Sequence, residues 1–122
     1  MTMMNKRRIL VVDDDGAVRT LVRAVLEGAG YEVTTARDGR QAIELIAASD
    51  YDVVMLDVWM PKLDGVSVVQ ELRKANSPVL AHTYLLSGSE PEQYGNLPVR
   101  GVIGKPFDIR ALIAEAKDCI GH

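Results

Sequence analysis

The chain is poor in the residues that most often staple or decorate a small domain. Among its 122 residues it has one cysteine, one tryptophan, one phenylalanine and two histidines. The single Cys119 excludes an internal disulfide and suits a reducing compartment, so a cytoplasmic protein is expected. Lying in the last helical pattern, Cys119 reads as a small apolar filler. His82 has no second histidine near it, and the other is the terminal His122. A structural role for His82 is therefore expected, not one as metal ligand or phosphodonor. So few aromatics leave an aliphatic core. No apolar run approaches the ~20 residues of a membrane-spanning helix. The basic start is followed by only four apolar residues, Ile9 to Val12, which run into three aspartates and so do not form a signal peptide. A strong charge imbalance is missing too: Lys and Arg number 14 against 17 Asp and Glu, net −3. That balance gives no footprint for nucleic acid or an anionic membrane, and Lys6, Arg7 and Arg8 read as a solvated tail. The length matches one domain and leaves no room for a fused output module.

What remains is aliphatic and periodic. Apolar blocks of four to six residues alternate with stretches of helical period, as in a parallel sheet wrapped by helices. The first strand is Arg8 to Val12, apolar without interruption and so buried on both faces. A helix follows with Ala17, Leu21, Val22, Val25 and Leu26 on one stripe, closed by Gly28 and Gly30. Tyr31 to Ala36 alternates like an edge strand, and Asp38 caps a second helix carrying Ala42, Ile43, Leu45 and Ile46 inward. Val53 to Leu56 is the third strand and ends at Asp57. A loop with Pro61 and Gly65 leads to a helix bearing Val66, Val69 and Leu72. The fourth strand runs to Ser87-Gly88 and the fifth is Val99 to Gly104. Between them Pro91, Gly95 and Pro98 leave space for one or two helical turns. The last helix, capped by Asp108, carries Ile109, Leu112, Ile113, Ala116 and Ile120.

In a doubly wound sheet, ligands sit beyond the carboxyl ends of the strands, where the strand order reverses. Asp13, Asp14 and Asp15 follow the first strand, and Asp57 follows the third. An acidic run after a strand is by itself a solvated loop or a helix cap, and Asp15 fits the cap. Asp57 changes the reading, because two buried strands then end in carboxylates at one edge. Two like charges ~4 Å apart repel by roughly 4 kcal/mol at an effective dielectric of ~20, so such a cluster takes up protons or a cation. With oxygen donors and no His or Cys, the cation is Mg²⁺, with Mn²⁺ or Ca²⁺ as alternatives. Mg²⁺ commonly pairs carboxylates with phosphate oxygens. Ser87 adds a hydroxyl and Lys105 a compact positive charge at two further strand ends.

The blocks Ile9-Leu10-Val11-Val12-Asp13-Asp14-Asp15, Leu56-Asp57-Val58-Trp59-Met60-Pro61-Lys62-Leu63-Asp64-Gly65 and Lys105-Pro106-Phe107, in that order and spacing, resemble the response-regulator receiver domain of two-component signalling. The resemblance covers about residues 8 to 120. It implies a flavodoxin-like (βα)5 fold, a five-stranded parallel sheet in the order 2-1-3-4-5 with helices on both faces, as a single domain over 1–122. It implies that Asp57 is the phosphoacceptor, taking a phosphoryl group from a phosphohistidine of a sensor histidine kinase or histidine phosphotransfer protein. Asp14, Asp57 and the backbone carbonyl of Trp59 would hold Mg²⁺, with Asp13 acting through a water. Lys105 and Ser87 would meet phosphoryl oxygens, and Lys105-Pro106 is often cis in the family. The chain would not be an enzyme with a separate substrate. Its signal would leave through a downstream protein partner.

Several positions depart from the family pattern. Receivers usually place Tyr or Phe three residues before the lysine, and here Val102 stands there. Only 18 positions separate Ser87 from Lys105, so the fourth helix is expected to be short or irregular. Thr83, 22 positions before Lys105, is the alternative hydroxyl residue. Trp59 is bulky beside the acceptor and is expected either to be a chance exposed aromatic or to screen the acyl phosphate from water. Two competing functions are a pseudo-receiver that docks a partner constitutively and an Mg²⁺-dependent phosphatase. The phosphatase lacks the second aspartate two residues after Asp57, where Trp59 stands, and has no cap to enclose a substrate.

Overall fold

Two uninterrupted apolar segments form the middle of the molecule. In the computed structural model, which describes residues 6–88, 91–106 and 108–120, β1 (Arg8–Val12) and β3 (Val53–Asp57) pair in parallel at the centre of a five-stranded sheet. Residues 9–12 and 53–57 are all buried, as strands covered on both faces must be. The order is β2 (Glu32–Ala36), β1, β3, β4 (Thr83–Ser87), β5 (Gly101–Gly104), the expected 2-1-3-4-5. Phe107 and His122 lie outside the described residues.

Among the described residues, four α-helices wrap the sheet: α1 (Gly16–Gly28), α2 (Gly39–Ala48), α3 (Gly65–Lys74) and α4 (Ile109–Ile120). One apolar layer joins α1 and α4 to a sheet face through Ile9, Val11, Val22, Leu26, Met55, Tyr84, Leu112 and Ala116. The opposite layer joins α2 and α3 through Leu10, Val12, Ala42, Leu56, Val68, Val69 and Leu72. Alternate residues of β1 thus serve opposite layers, the two-residue period of a strand. Aspartates start the helices: the Asp15 carboxylate accepts from the Ala17 N–H, Asp38 from Gln41, Asp64 from Ser67 and Asp108 from Arg110.

Some expectations need correction. Leu21 is 53% exposed and lies off the buried stripe of α1, which runs through Val18, Val22 and Leu26. At ~100° per residue, Leu21 falls beside that stripe and faces solvent. On α3, Val68 is buried and Val66 only partly so. The fifth strand begins at Gly101, not Val99, because Val99 lies in a turn whose N–H bonds to the Leu97 carbonyl at 2.8 Å. Arg8 is no solvated tail: it opens β1, pairs with Glu32 at 3.0 Å and lies 5.1 Å from the Tyr51 ring.

Among the described residues, the β4–β5 connection holds one 3-10 turn, Pro91–Tyr94, in place of a fourth crossover helix. Pro91, Gly95 and Pro98 leave no uninterrupted stretch in which an i to i−4 ladder could grow. The face is closed by one ring. Tyr94 is buried in the α2–α3 layer with Leu80 and Leu85, and Leu97, Val99 and Val102 pack against the same layer. Tyr94→Ala should therefore lower stability by about 3 kcal/mol, whereas Leu21→Ala should stay within about 0.5 kcal/mol of wild type in urea denaturation. Equal effects would contradict this account of how the connection is sealed.

Candidate functional site

The register of the central strands decides what meets at the carboxyl edge. Val12 lies opposite Leu56, so Asp13 emerges level with Asp57, and Asp57 in turn lies opposite Leu86. Ser87 lies opposite Gly104, which puts Lys105 one residue beyond. In the sheet β1 has β2 on one side and β3 on the other, and the chain crosses from β2 to β3, so the strand order reverses where Asp13 and Asp57 stand.

Asp13 is almost fully buried and tethered on several sides. Its N–H donates to the Ala36 carbonyl at 3.1 Å, its Oδ1 accepts from the Asp15 N–H at 3.0 Å, and its Oδ2 accepts from Lys105 Nζ at 2.9 Å. Lys105 Nζ also stands 3.1 Å from Asp57 Oδ1. The lysine therefore bridges the two buried carboxylates. Its own N–H donates to the Ser87 carbonyl at 2.6 Å, and the peptide bond to Pro106 is cis. Asp14 is exposed, and one oxygen each from Asp13, Asp14 and Asp57 lies within 4.8 Å of the others.

Electrostatics follow from that crowding. Burial, then the charge of Asp13, pushes the Asp57 carboxyl from its ordinary 3.8 up to about 6; Lys105 pulls it down by less, and Asp14 adds a smaller rise. Burial works against the Lys105 ammonium, but its hydrogen bond to Asp13 and the charges of Asp13 and Asp57 outweigh that and raise it. One lysine leaves three converging carboxylates underneutralised. Their hard oxygen donors, without nitrogen or sulfur, fit Mg²⁺ and could hold such an ion.

The other singled-out residues separate cleanly. Ser87 is buried at the carboxyl end of β4, beside Lys105. Thr83 begins the same strand, so it stands ~13 Å away at ~3.3 Å per residue. Its hydroxyl donates to the Val79 carbonyl at 2.8 Å. Trp59 is 65% exposed, two residues past Asp57. His82 has its Nδ1 3.0 Å from the Asp52 carbonyl, before β4 begins and away from the carboxylates. Cys119 is half-buried with Sγ 3.9 Å from that same carbonyl, and burial raises its thiol. Val102 packs against the α2–α3 layer.

Sequence reasoning missed how the loop after Asp57 is fastened. A Cβ on Gly65 would stand 2.5 Å from the Asp57 carbonyl oxygen, and one on Gly39 would run into the Leu63 carbonyl. Both glycines are required by close approach of backbone, one at each side of the loop. Between them Lys62 has φ 70° and lies 3.9 Å from Asp38, the cap of α2. The Asp-Gly pairs at Asp38-Gly39 and Asp64-Gly65 were the available signals.

Residues 9–117 match the response regulator receiver domain. The chain is 43% identical over 112 residues to the response regulator MprA of Mycolicibacterium vanbaalenii, covering 90% of this chain and 48% of that protein. It is 37% identical over 118 residues to a probable transcriptional regulator, ycf27, of Cyanophora paradoxa, covering 96% and 49%. It spans about half the length of these relatives. Among solved structures, the receiver domain of Francisella response regulator 1452 superposes with a TM-score of 0.89 at 30% identity, covering 95% of this chain and 98% of that one. The response regulator TrrA of Thermotoga maritima, in complex with Mg²⁺–BeF, gives 0.81 at 32%, covering 93% and 98%. The chain thus belongs to the receiver domains of two-component response regulators, a family of phosphoacceptors that works with histidine kinases. Among the described residues, no helix is long and apolar enough to cross a membrane.

Because the folded chain holds the Asp57 proton more tightly than the unfolded chain, Asp57 contributes most below pH 3.8, and that contribution is lost as pH rises through about 6. Without divalent ions, Asp57→Asn should therefore be more stable than wild type by about 2 kcal/mol at pH 8, with no gain near pH 3.5. Urea denaturation at the two pH values checks this. A gain that does not depend on pH would show that Asp57 carries no charge conflict.

Proposed function

We propose that this domain is a cytoplasmic phosphorylation switch whose acceptor is Asp57. A carboxylate oxygen of Asp57 attacks the phosphorus of a phosphohistidine on a sensor histidine kinase or histidine phosphotransfer protein. The P–N bond breaks, its electron pair returns to the imidazole, and the product is an acyl phosphate on Asp57. The observation that carries the reading is the meeting of a buried nucleophilic carboxylate with the Lys105 ammonium, 3.1 Å away, at the point of strand reversal. Lys105 would follow one phosphoryl oxygen as charge shifts outward, and the Ser87 hydroxyl would bond another. Asp14, Asp57 and the Trp59 carbonyl would hold Mg²⁺, with Asp13 acting through a water; the ion neutralises charge on the transferring group when bound. The exposed Trp59 ring would slow the approach of water to the acyl phosphate. With Val102 where a switching ring would stand, output would run through the β4–β5 connection to a downstream protein partner.

Incubation with acetyl phosphate and Mg²⁺ should add the mass of one phosphoryl group to the intact chain, and Asp57→Asn should abolish it. Lys105→Met should slow the reaction by about 10²-fold. Ser87→Ala should slow it as well and Thr83→Ala should not, while Trp59→Ala should shorten the life of the adduct. A chain that binds Mg²⁺ but forms no adduct would be a constitutive docking module, and steady release of phosphate from a small ester would indicate a phosphatase.

A further inference from the structure

Asp14 is the loosely held member of the carboxylate cluster. Asp13 is tethered through its amide and both carboxylate oxygens, and Asp57 sits in a strand. The Asp14 side chain is exposed and makes no hydrogen bond or ion pair to another described residue. Its placement depends on the backbone that carries it. The peptide plane between Asp13 and Asp14 sets the angle between their carboxylates, and repulsion within the cluster favours any rotation that swings Asp14 outward.

One side chain opposes that rotation. Arg19 Nη1 donates to the Asp13 carbonyl oxygen at 2.8 Å, gripping the 13–14 plane by its oxygen. The Arg19 N–H donates to the Asp15 carbonyl at 3.0 Å as part of the first turn of α1. The same residue therefore holds the loop on both sides of Asp14. Its guanidinium lies back over that turn, with Nη2 3.5 Å from where a Cβ on Gly16 would stand. Arg19 makes no ion pair with a described residue, whereas Arg23, one turn on, pairs with Glu27 at 3.1 Å. Both line a cavity of about 480 Å³ with Gly16, Thr20 and Thr35. Of the two, only Arg19 bonds to the acidic loop.

We infer that Arg19 is a positioning residue for the divalent-cation site: its bond to the Asp13 carbonyl fixes the peptide plane that aims Asp14 at the ion. The inference rests on the reading of Asp13, Asp14 and Asp57 as that site, and its sign is informative. A nearby cation repels Mg²⁺, so charge alone predicts tighter binding when Arg19 is removed. Positioning predicts weaker binding.

The test is a Mg²⁺ titration followed by fluorescence of Trp59, the single tryptophan. It compares wild type with Arg19→Met, which keeps much of the apolar stem but no donor, with Arg19→Gln, which restores a neutral donor, and with Arg23→Met. Arg19→Met should bind Mg²⁺ about tenfold more weakly, Arg19→Gln should recover part of that loss, and Arg23→Met should bind at least as tightly as wild type. Melting without Mg²⁺ should be alike for all four proteins. If Arg19→Met melts early, Arg19→Gln carries the test: affinity below that of wild type in a folded Arg19→Gln supports the bond, and affinity equal to or above wild type overturns it. Unchanged or tighter binding by a folded Arg19→Met would overturn the inference while leaving the cation site intact. Absence of Mg²⁺ binding by wild type would instead overturn the cation site, and the inference with it.

Discussion

The arrangement of the molecule turns on like charges brought together by strand register. Parallel pairing of β1 and β3 places Asp13 and Asp57 level at one edge, where both are buried. Burial removes the water that would screen them, and the charge of Asp13 lies close enough to disfavour ionisation of Asp57. Lys105, delivered from the end of β5, offsets part of the conflict by contacting both. A cation held by Asp13, Asp14 and Asp57 would complete the compensation that a single ammonium begins.

The rest of the fold holds this arrangement in place. The two apolar layers immobilise β1 and β3, and with them the two acidic ends. The loop after Asp57 is pressed between Gly65 and Gly39, so the residue types at both contacts are set by how closely backbone approaches backbone. On the far side of β4 the molecule departs from a regular βα repeat. Among the described residues, a 3-10 turn with Tyr94, Leu97 and Val99 covers what a helix would otherwise cover, a few residues after Ser87. Tyr94, Leu97 and Val99 fasten this short connection to the α2–α3 layer.

Much of this was legible in the chain. Strands such as Val53 to Leu56 declare themselves through unbroken aliphatic character, and Asp15, Asp38 and Asp108 mark helix starts through cap chemistry. The carboxylate cluster followed from placing strand ends on one edge, which needs topology but not coordinates. Ser87 could be separated from Thr83 because the strand between them has a length and a direction. Leu21 was misplaced because the apolar stripe of α1 is wider than the face that is buried. Tyr94 was missed because its partners, Leu80, Leu85 and Val102, lie on other elements, so no local period announces it. Gly39 and Lys62 were missed for a similar reason, since the Leu63 carbonyl and the Asp38 carboxylate reach them through tertiary contact alone.

The most direct test of the charge conflict is the titration of the Asp57 carboxyl itself, followed by carbon-detected NMR of its side chain with and without Mg²⁺. The account predicts a midpoint near about 6 in the metal-free protein and a marked fall when Mg²⁺ is present. A midpoint at the ordinary value of 3.8 in both conditions would contradict it.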